Sequence, residues 1–282
     1  MNTAAGNGKK VGVALGGGYA RGLAHIGVLE VLEREGVPID IIAGTSIGAL
    51  IGALYALQKD AGKLREEAML LDFMGTTALV DLAFPKSGLM PGKRITNLLR
   101  RFIGNVNFKE LNIPLSCVAT DIISGDEVVL DSGSVLEAVR ASFSIPIIFT
   151  VVKSGGRYLV DGGLVNPVPV SVARNMGADF IIAVDVTPDK KDRANYLTTR
   201  AEAGKEPTLF QVIAQSIYIS TYLTAKASTE GADIAIHPHV AHIGPSEFNR
   251  VRECILEGEL SAVDQVAHLK RHLASAGIRL LK

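Results

Sequence analysis

Short solid apolar runs alternate along this chain with stretches of helical apolar spacing. Val11 to Leu15 is a solid run that ends in Gly16-Gly17-Gly18, the pattern of a buried strand entering a glycine loop. From Arg21 to Glu35, Leu23, Ile26, Val28, Leu29 and Leu32 recur at helical spacing. Gly36 and Pro38 then supply a stop. Ile39 to Ala43 reads as a second strand, and Ile47 to Leu57 as a helix whose Gly48, Ala49, Gly52, Ala53 and Ala56 allow close packing. Strand, loop, helix, repeated twice, is the opening of a parallel α/β sheet.

The pattern changes from about residue 60 to 112. Here mixed polarity surrounds loose apolar patches (Leu70, Leu71, Phe73, Met74, then Leu98, Leu99, Phe102), broken by Pro85, Gly88, Pro91 and Gly92. This predicts a helical insertion or cap over the sheet. Pro114 to Thr120 and Glu127 to Leu130 flank Ser124-Gly125-Asp126, the pattern of a strand pair. Val135 to Ser142 reads as a short helix stopped by Pro146, and Tyr158 to Val160 leads into Asp161-Gly162-Gly163. Phe180 to Val186 is a further apolar strand. Leu209 to Ser228 and Ala262 to Ala274 read as helices, within a C-terminal helical part of about 206–282. No repeat or low-complexity linker divides the chain, so residues 1–282 are expected to form a single domain with its core at about 11–186.

Composition narrows the function classes. The 282 residues are 48% hydrophobic and 21% charged, which is globular. Lys plus Arg is 29 and Asp plus Glu is 29, which argues against nucleic-acid binding by a bulk positive field. Aromatics are 5% with no Trp, so a base-stacking surface is not expected. Cys117 and Cys254 lie in apolar surroundings without ligand spacing and are expected to be buried free thiols. Met1 to Lys10 has no apolar h-region. Ile41 to Leu57 is uncharged, but it is short for a membrane span and Gly44, Thr45 and Ser46 interrupt it. The expected location is cytoplasmic or peripheral to a membrane.

Three segments carry candidate chemistry. Gly44-Thr45-Ser46-Ile47-Gly48 is a GxSxG sequence with a strand before it and a helix after it. A sharp strand-to-helix turn lifts the Ser46 hydroxyl clear, and a Cβ at the flanking glycines would clash. The helix start favours any oxyanion formed beside it. Gly16-Gly17-Gly18-Tyr19-Ala20-Arg21-Gly22 lets several backbone N–H groups point at one anion. A dinucleotide pyrophosphate, an oxyanion hole and a packing turn compete for it. The dinucleotide fingerprint fails in detail, because Tyr19 and Arg21 stand where GxGxxG needs glycine. Asp161-Gly162-Gly163 reads either as a turn or as the acid a serine nucleophile requires. Ser46, Asp161 and His237 would also satisfy a triad in hydrolase chain order. The His237, His239 and His242 cluster reads as a solvated loop rather than a metal site, and His25 as a packed or surface histidine.

Taken in order, the glycine loop with Ala24-His25-Ile26-Gly27-Val28-Leu29, the GxSxG and Asp161-Gly162-Gly163 resemble the patatin-like phospholipase family, in its bacterial and neuropathy-target-esterase-type branch. The likeness includes Ser144-Ile145-Pro146, Asn166-Pro167-Val168-Pro169 and Gly177-Ala178-Asp179, and covers roughly 11–186. The resemblance implies a three-layer α/β/α fold with a mostly parallel central sheet and a helical cap. It implies a Ser46–Asp161 dyad without histidine, with Gly17, Gly18 and Tyr19 as the oxyanion hole. Gly16, Arg21, Gly22, Gly44, Gly48, Gly162 and Gly163 support those motifs. Many members carry glycine where this chain has Tyr19, so the loop donors depart from the pattern. Arg21 either favours an anionic phosphate head group or holds the loop. A phospholipid or lysophospholipid substrate follows, with peripheral membrane contact and with no metal, cofactor or nucleic acid.

Overall fold

The computed structural model describes residues 8–73, 92–188 and 209–281. Five parallel strands form the centre: β1 (Val11–Leu15), β2 (Ile41–Thr45), β3 (Leu115–Asp121), β7 (Phe180–Val184) and β8 (Ile234–Ile236). Three more, β4 (Glu127–Leu130), β5 (Val152–Ser154) and β6 (Arg157–Asp161), join antiparallel. Following hydrogen-bonded neighbours gives β5-β6-β3-β2-β1-β7-β8, with β4 as a third partner of β3.

The central strands are solid apolar runs because both faces are covered. Val11, Val13, Leu15, Ile42, Ile182 and Val184 face one core. The alternate residues Ala14, Ile41, Ala43, Ile181 and Ala183 face another. Over the first face lie α1 (Ala24–Arg34), α2 (Ile47–Gln58), α3 (Ala61–Phe73), α4 (Gly92–Ile103), α5 (Val135–Ser142) and the long α8 (Val251–Ser275). The second face carries α6 (Val170–Asn175). A further helix, α7 (Leu209–Ser228), packs beside the short turn Gly162–Leu164.

Several boundaries differ from the sequence reading. The second strand starts and ends two residues later, at Ile41–Thr45. The terminal helix begins at Val251, because its first turns bury only Val251, Cys254, Ile255 and Gly258 under a polar outer face. The short strands β5 and β8 and helix α6 gave too few residues for a periodic signal. In the expected cap, α3 and α4 pack on α1, α2 and α5, while 74–91, with Pro85, Gly88 and Pro91, lie outside the described residues.

Helices α1 and α8 cross with their backbones in contact. A Cβ on Gly27 would sit 2.0 Å from the Ile255 carbonyl oxygen, and one on Gly258 would sit 2.0 Å from that of Ala24. Alanine at Gly27 gains roughly 1 kcal/mol of helix propensity and loses more to overpacking. Gly27→Ala is therefore expected to lower stability by about 2 kcal/mol, read as a lower urea midpoint at unchanged slope.

Candidate active site

The register of β3 explains how two residues far apart in sequence meet. Val118 pairs with Thr45 of β2 and with Val129 of β4. Ala119 pairs with Val128 of β4 and with Asp161 of β6. A strand residue has one neighbour on each side. Strand β4 therefore fills one side, and β2 and β6 meet end to end on the other, carboxyl end to carboxyl end. Ser46 follows the last residue of β2, and Asp161 is the last of β6.

Local sequence sharpens the juxtaposition. Ser46 turns from strand to helix at φ 56 and ψ −121, a conformation costly for a non-glycine residue. Its neighbours must be small. A Cβ on Gly48 would lie 2.2 Å from the Leu15 carbonyl oxygen, and one on Gly44 would lie 2.6 Å from that of Gly48. The Ser46 N–H donates to Ser142 Oγ at 2.8 Å, and the Thr45 hydroxyl donates to the Asn166 carbonyl at 2.8 Å. Thus the turn is fixed from both sides, and the Ser46 hydroxyl donates to Asp161 Oδ2 at 2.5 Å.

Asp161 Oδ1 accepts the Gly163 N–H at 2.8 Å. Gly162 is required because a Cβ there would meet the Val118 carbonyl oxygen at 2.3 Å. Both Ser46 and Asp161 are buried. Burial pushes the Asp161 carboxyl up to about 6, against the two hydrogen bonds it accepts. It remains a carboxylate at neutral pH, in direct contact with a hydroxyl.

The glycine loop runs over this pair. The Gly16 N–H donates to the Val184 carbonyl at 3.0 Å, and the Gly17 N–H to the Pro167 carbonyl at 2.9 Å. Gly17 is thereby removed from the expected oxyanion donors, because its one N–H is already spent. Its role is proximity: a Cβ there would stand 3.4 Å from Ser46 Cβ. Gly18 and Tyr19 border the same pocket as Ser46 and Asp161, and their N–H groups have no backbone acceptor among the described residues. Gly18 leaves room for Val186, whose Cγ2 would lie 2.3 Å from an added Cβ. Tyr19 holds φ 57. Burial, then the nearby Asp161 and Tyr218, push its phenol above the ordinary range, against the opposing Arg21.

The remaining sequence candidates have other partners. His25 is fully buried and its ring hydrogen-bonds the Gly16 carbonyl at 2.7 Å. Burial pulls it down to about 4, so it is neutral and carries its proton on Nε2. Buried Arg21 donates to the Ile243 carbonyl at 2.7 Å and to the Tyr218 hydroxyl at 2.8 Å, which favours the loop-holding role. Gly22 makes room for Ile47, whose Cγ2 would lie 2.2 Å from a Cβ. His237 is 58% exposed, with Nδ1 3.7 Å from Asp185 Oδ2, and His242 pairs with Glu253 at 2.8 Å. The alternative Ser46–Asp161–His237 triad is not assembled, since hydroxyl and carboxylate touch directly. Among the described residues no group of three or more His, Cys, Asp or Glu converges on a metal-sized site. Cys117 and Cys254 are buried and unbridged.

Sequence reasoning placed helix α7 at Leu209–Ser228, as observed, but gave it no part in the site, and it missed Ser142. Ser142 lies at the end of α5, and only the fold carries it to Ser46. Ile217, Tyr218, Thr221 and Tyr222 of α7 form one wall of the pocket, which encloses about 520 Å³ of empty space including its open mouth. Among the described residues no helix is long and apolar enough to cross a membrane.

A mostly parallel sheet, helices on both faces and a serine elbow at a strand's carboxyl end define the class: an α/β protein with its candidate site at that sheet edge. The chain belongs to the patatin-like phospholipase family, whose model matches residues 13–174. It is 31% identical over 272 residues to the lysophospholipase NTE1 of Pyricularia oryzae, covering 89% of this chain and 18% of that protein. It is 41% identical over 270 residues to an uncharacterized NTE family protein of Mycobacterium bovis, covering 90% of this chain and 46% of that one. The chain thus spans less than half the length of these relatives. VipD from Legionella pneumophila shares the fold, with a TM-score of 0.58 at 14% identity over 95% of this chain and 69% of that one.

Proposed function

We propose that this chain is a serine lipid acyl hydrolase of the phospholipase A or lysophospholipase type, working through a Ser46–Asp161 dyad. The observation that carries the reading is the 2.5 Å contact between the Ser46 hydroxyl and the Asp161 carboxylate at a strand-to-helix elbow. Asp161 accepts the Ser46 proton as Oγ forms a bond to the ester carbonyl carbon. A carboxylate is a weak base for an alcohol, so the proton moves only as the C–O bond forms. Negative charge collects on the former carbonyl oxygen, where the Gly18 and Tyr19 N–H groups would receive it. One such donor is worth about 2.7–4 kcal/mol of barrier. The ester C–O bond then breaks, and protonated Asp161 returns the proton to the leaving alcohol. Water, deprotonated by Asp161, attacks the acyl-Ser46 carbonyl. The fatty acid departs and the serine is restored.

A second feature supports a lipid acyl group. Leu50, Ile51 and Leu54 of α2, Leu64 of α3 and Ile95 and Leu99 of α4 border an apolar cleft that encloses about 910 Å³, including its open mouth. It runs along the helix that begins immediately after Ser46. Such a cleft suits a chain of methylenes and offers little to a polar substrate.

The test is a panel of phospholipids and lysophospholipids, with fatty acid release measured alongside fluorophosphonate labelling of Ser46. Release together with labelling is expected, and release no faster than a blank from every lipid would refute the reading. His237→Ala is expected to retain turnover within about threefold, because that ring sits against Asp185 on the surface; a loss of 100-fold or more would restore the triad.

A further inference from the structure

The catalytic pocket's wall has a second face. Helix α7 turns Ile217, Tyr218, Thr221 and Tyr222 towards the pocket. It turns Val212, Ile213, Ile219 and Leu223 to solvent, with Leu223 67% exposed. From Leu209 through Ala225 the helix carries no Asp, Glu, Lys or Arg. A water-facing helix surface ordinarily carries charge opposite its buried stripe, and this one does not.

A second apolar group lies at the same sheet edge. Ile122 and Ile123 follow the carboxyl end of β3, beside the junction that joins Ser46 to Asp161, and Ile123 is 76% exposed. The Ile122 N–H donates to the Tyr158 carbonyl, which ties this turn to the exposed β5–β6 hairpin. On the α7 side, Gly163 is within 3.6 Å of Thr221 Cγ2, measured from an added Cβ. Exposed apolar side chains therefore stand at two positions around the edge where the pocket opens.

We propose that the outer face of α7 and the Ile122–Ile123 turn form the surface by which this chain settles on a phospholipid layer, with the pocket mouth towards the lipid. The inference rests on the lipid hydrolase reading above: a substrate held in a bilayer must leave it at the pocket mouth, and the helix that walls the pocket with Ile217, Tyr218, Thr221 and Tyr222 exposes these apolar side chains on its other face. The helix lies in the interfacial plane, with its apolar side chains among the acyl chains. Exposed Lys153 and Arg157 of the β5–β6 hairpin are countered by exposed Asp126 and Glu127 at the start of β4, on the other side of β3, and Lys226 is the one charged residue of α7. Apolar insertion rather than net charge thus supplies the attraction, and a zwitterionic surface suffices.

The test is sedimentation of the full chain carrying Ser46→Ala with phosphatidylcholine vesicles, so that binding is read without turnover. The parent is expected to sediment with the vesicles. Adding Leu223→Ser and Ile123→Ser together is expected to weaken binding at least tenfold, with little change on raising salt. Leu281→Ser is the control: Leu281 is 59% exposed and is bonded to Gly36, at the opposite end of the strands. In the active protein, the Leu223→Ser/Ile123→Ser pair is expected to slow hydrolysis of vesicle phospholipid while sparing a water-soluble short-chain ester. A parent that ignores vesicles, a double variant that binds like the parent, or equal loss in the control would overturn the proposal. So would self-association through this face without vesicle binding. Failure of the parent on the soluble ester would instead count against the hydrolase reading and leave the sedimentation result to decide the docking surface.

Discussion

Replacing Asp161 with asparagine is expected to lower turnover by about 10³-fold or more while making the protein more stable at neutral and alkaline pH. The two effects share one cause. Burial raises the carboxyl from the ordinary 3.8 to about 6, so keeping it ionised in the fold costs free energy. The folded-state value lies above the unfolded one. The carboxyl's stabilising contribution is therefore complete below about pH 4 and is lost as pH rises through 6. The full difference is about 3 kcal/mol at pH 8. Asparagine keeps both hydrogen bonds, since its oxygen can accept the Gly163 N–H and its amide can donate to Ser46 Oγ, but it cannot take a proton. Melting curves of the two proteins should separate at pH 8 and converge near pH 4. In the parent, kcat/KM should fall about tenfold per pH unit below 6, as the base is protonated, and level off above it. A variant with near-parent activity would remove Asp161 from the chemistry.

Ser46→Ala is expected to reduce ester hydrolysis by at least about 10⁴-fold, on the scale seen when a serine nucleophile is removed from other hydrolases. The loop N–H groups can still polarise a bound carbonyl, so what remains should exceed the uncatalysed rate in water. The fold should survive. Alanine has the same Cβ as serine at φ 56, so the elbow is no more strained than before. The Ser46 N–H to Ser142 bond does not involve the lost hydroxyl. Asp161 loses one hydrogen bond that favours its charged form, so its carboxyl should titrate above about 6. The measurements are lysophospholipid hydrolysis, covalent labelling and a melting curve. Full activity in the alanine variant would show that Ser46 is not the nucleophile.

Much of this was legible before the fold. The solid runs at Val11–Leu15 and Phe180–Val184 could only be strands covered on both faces, because nothing in them could face water. Gly44 and Gly48 marked the elbow, since a Cβ at either meets backbone atoms. The glycine loop was visible too, but its donors were not. Whether a given N–H is free depends on which carbonyl lies opposite, and Gly17 meets Pro167 across 150 positions of chain. The same holds for Ser142, a plain helix-end serine until α5 brings it to Ser46, and for α7, whose inner and outer faces differ little in composition.

Sequence by itself determined the local conformations and the chemical types: a serine where the chain must turn sharply, an acid before two glycines, and a loop without side chains to block its amides. These are short-range consequences of sterics and periodicity, and neighbouring residues suffice to state them. Tertiary structure alone decided which groups touch. Strands β2 and β6 share one side of β3 because β4 occupies the other, and that competition for hydrogen-bonding edges sets the hydroxyl against the carboxylate. Edge competition is a property of the assembled sheet, so no window of sequence contains it.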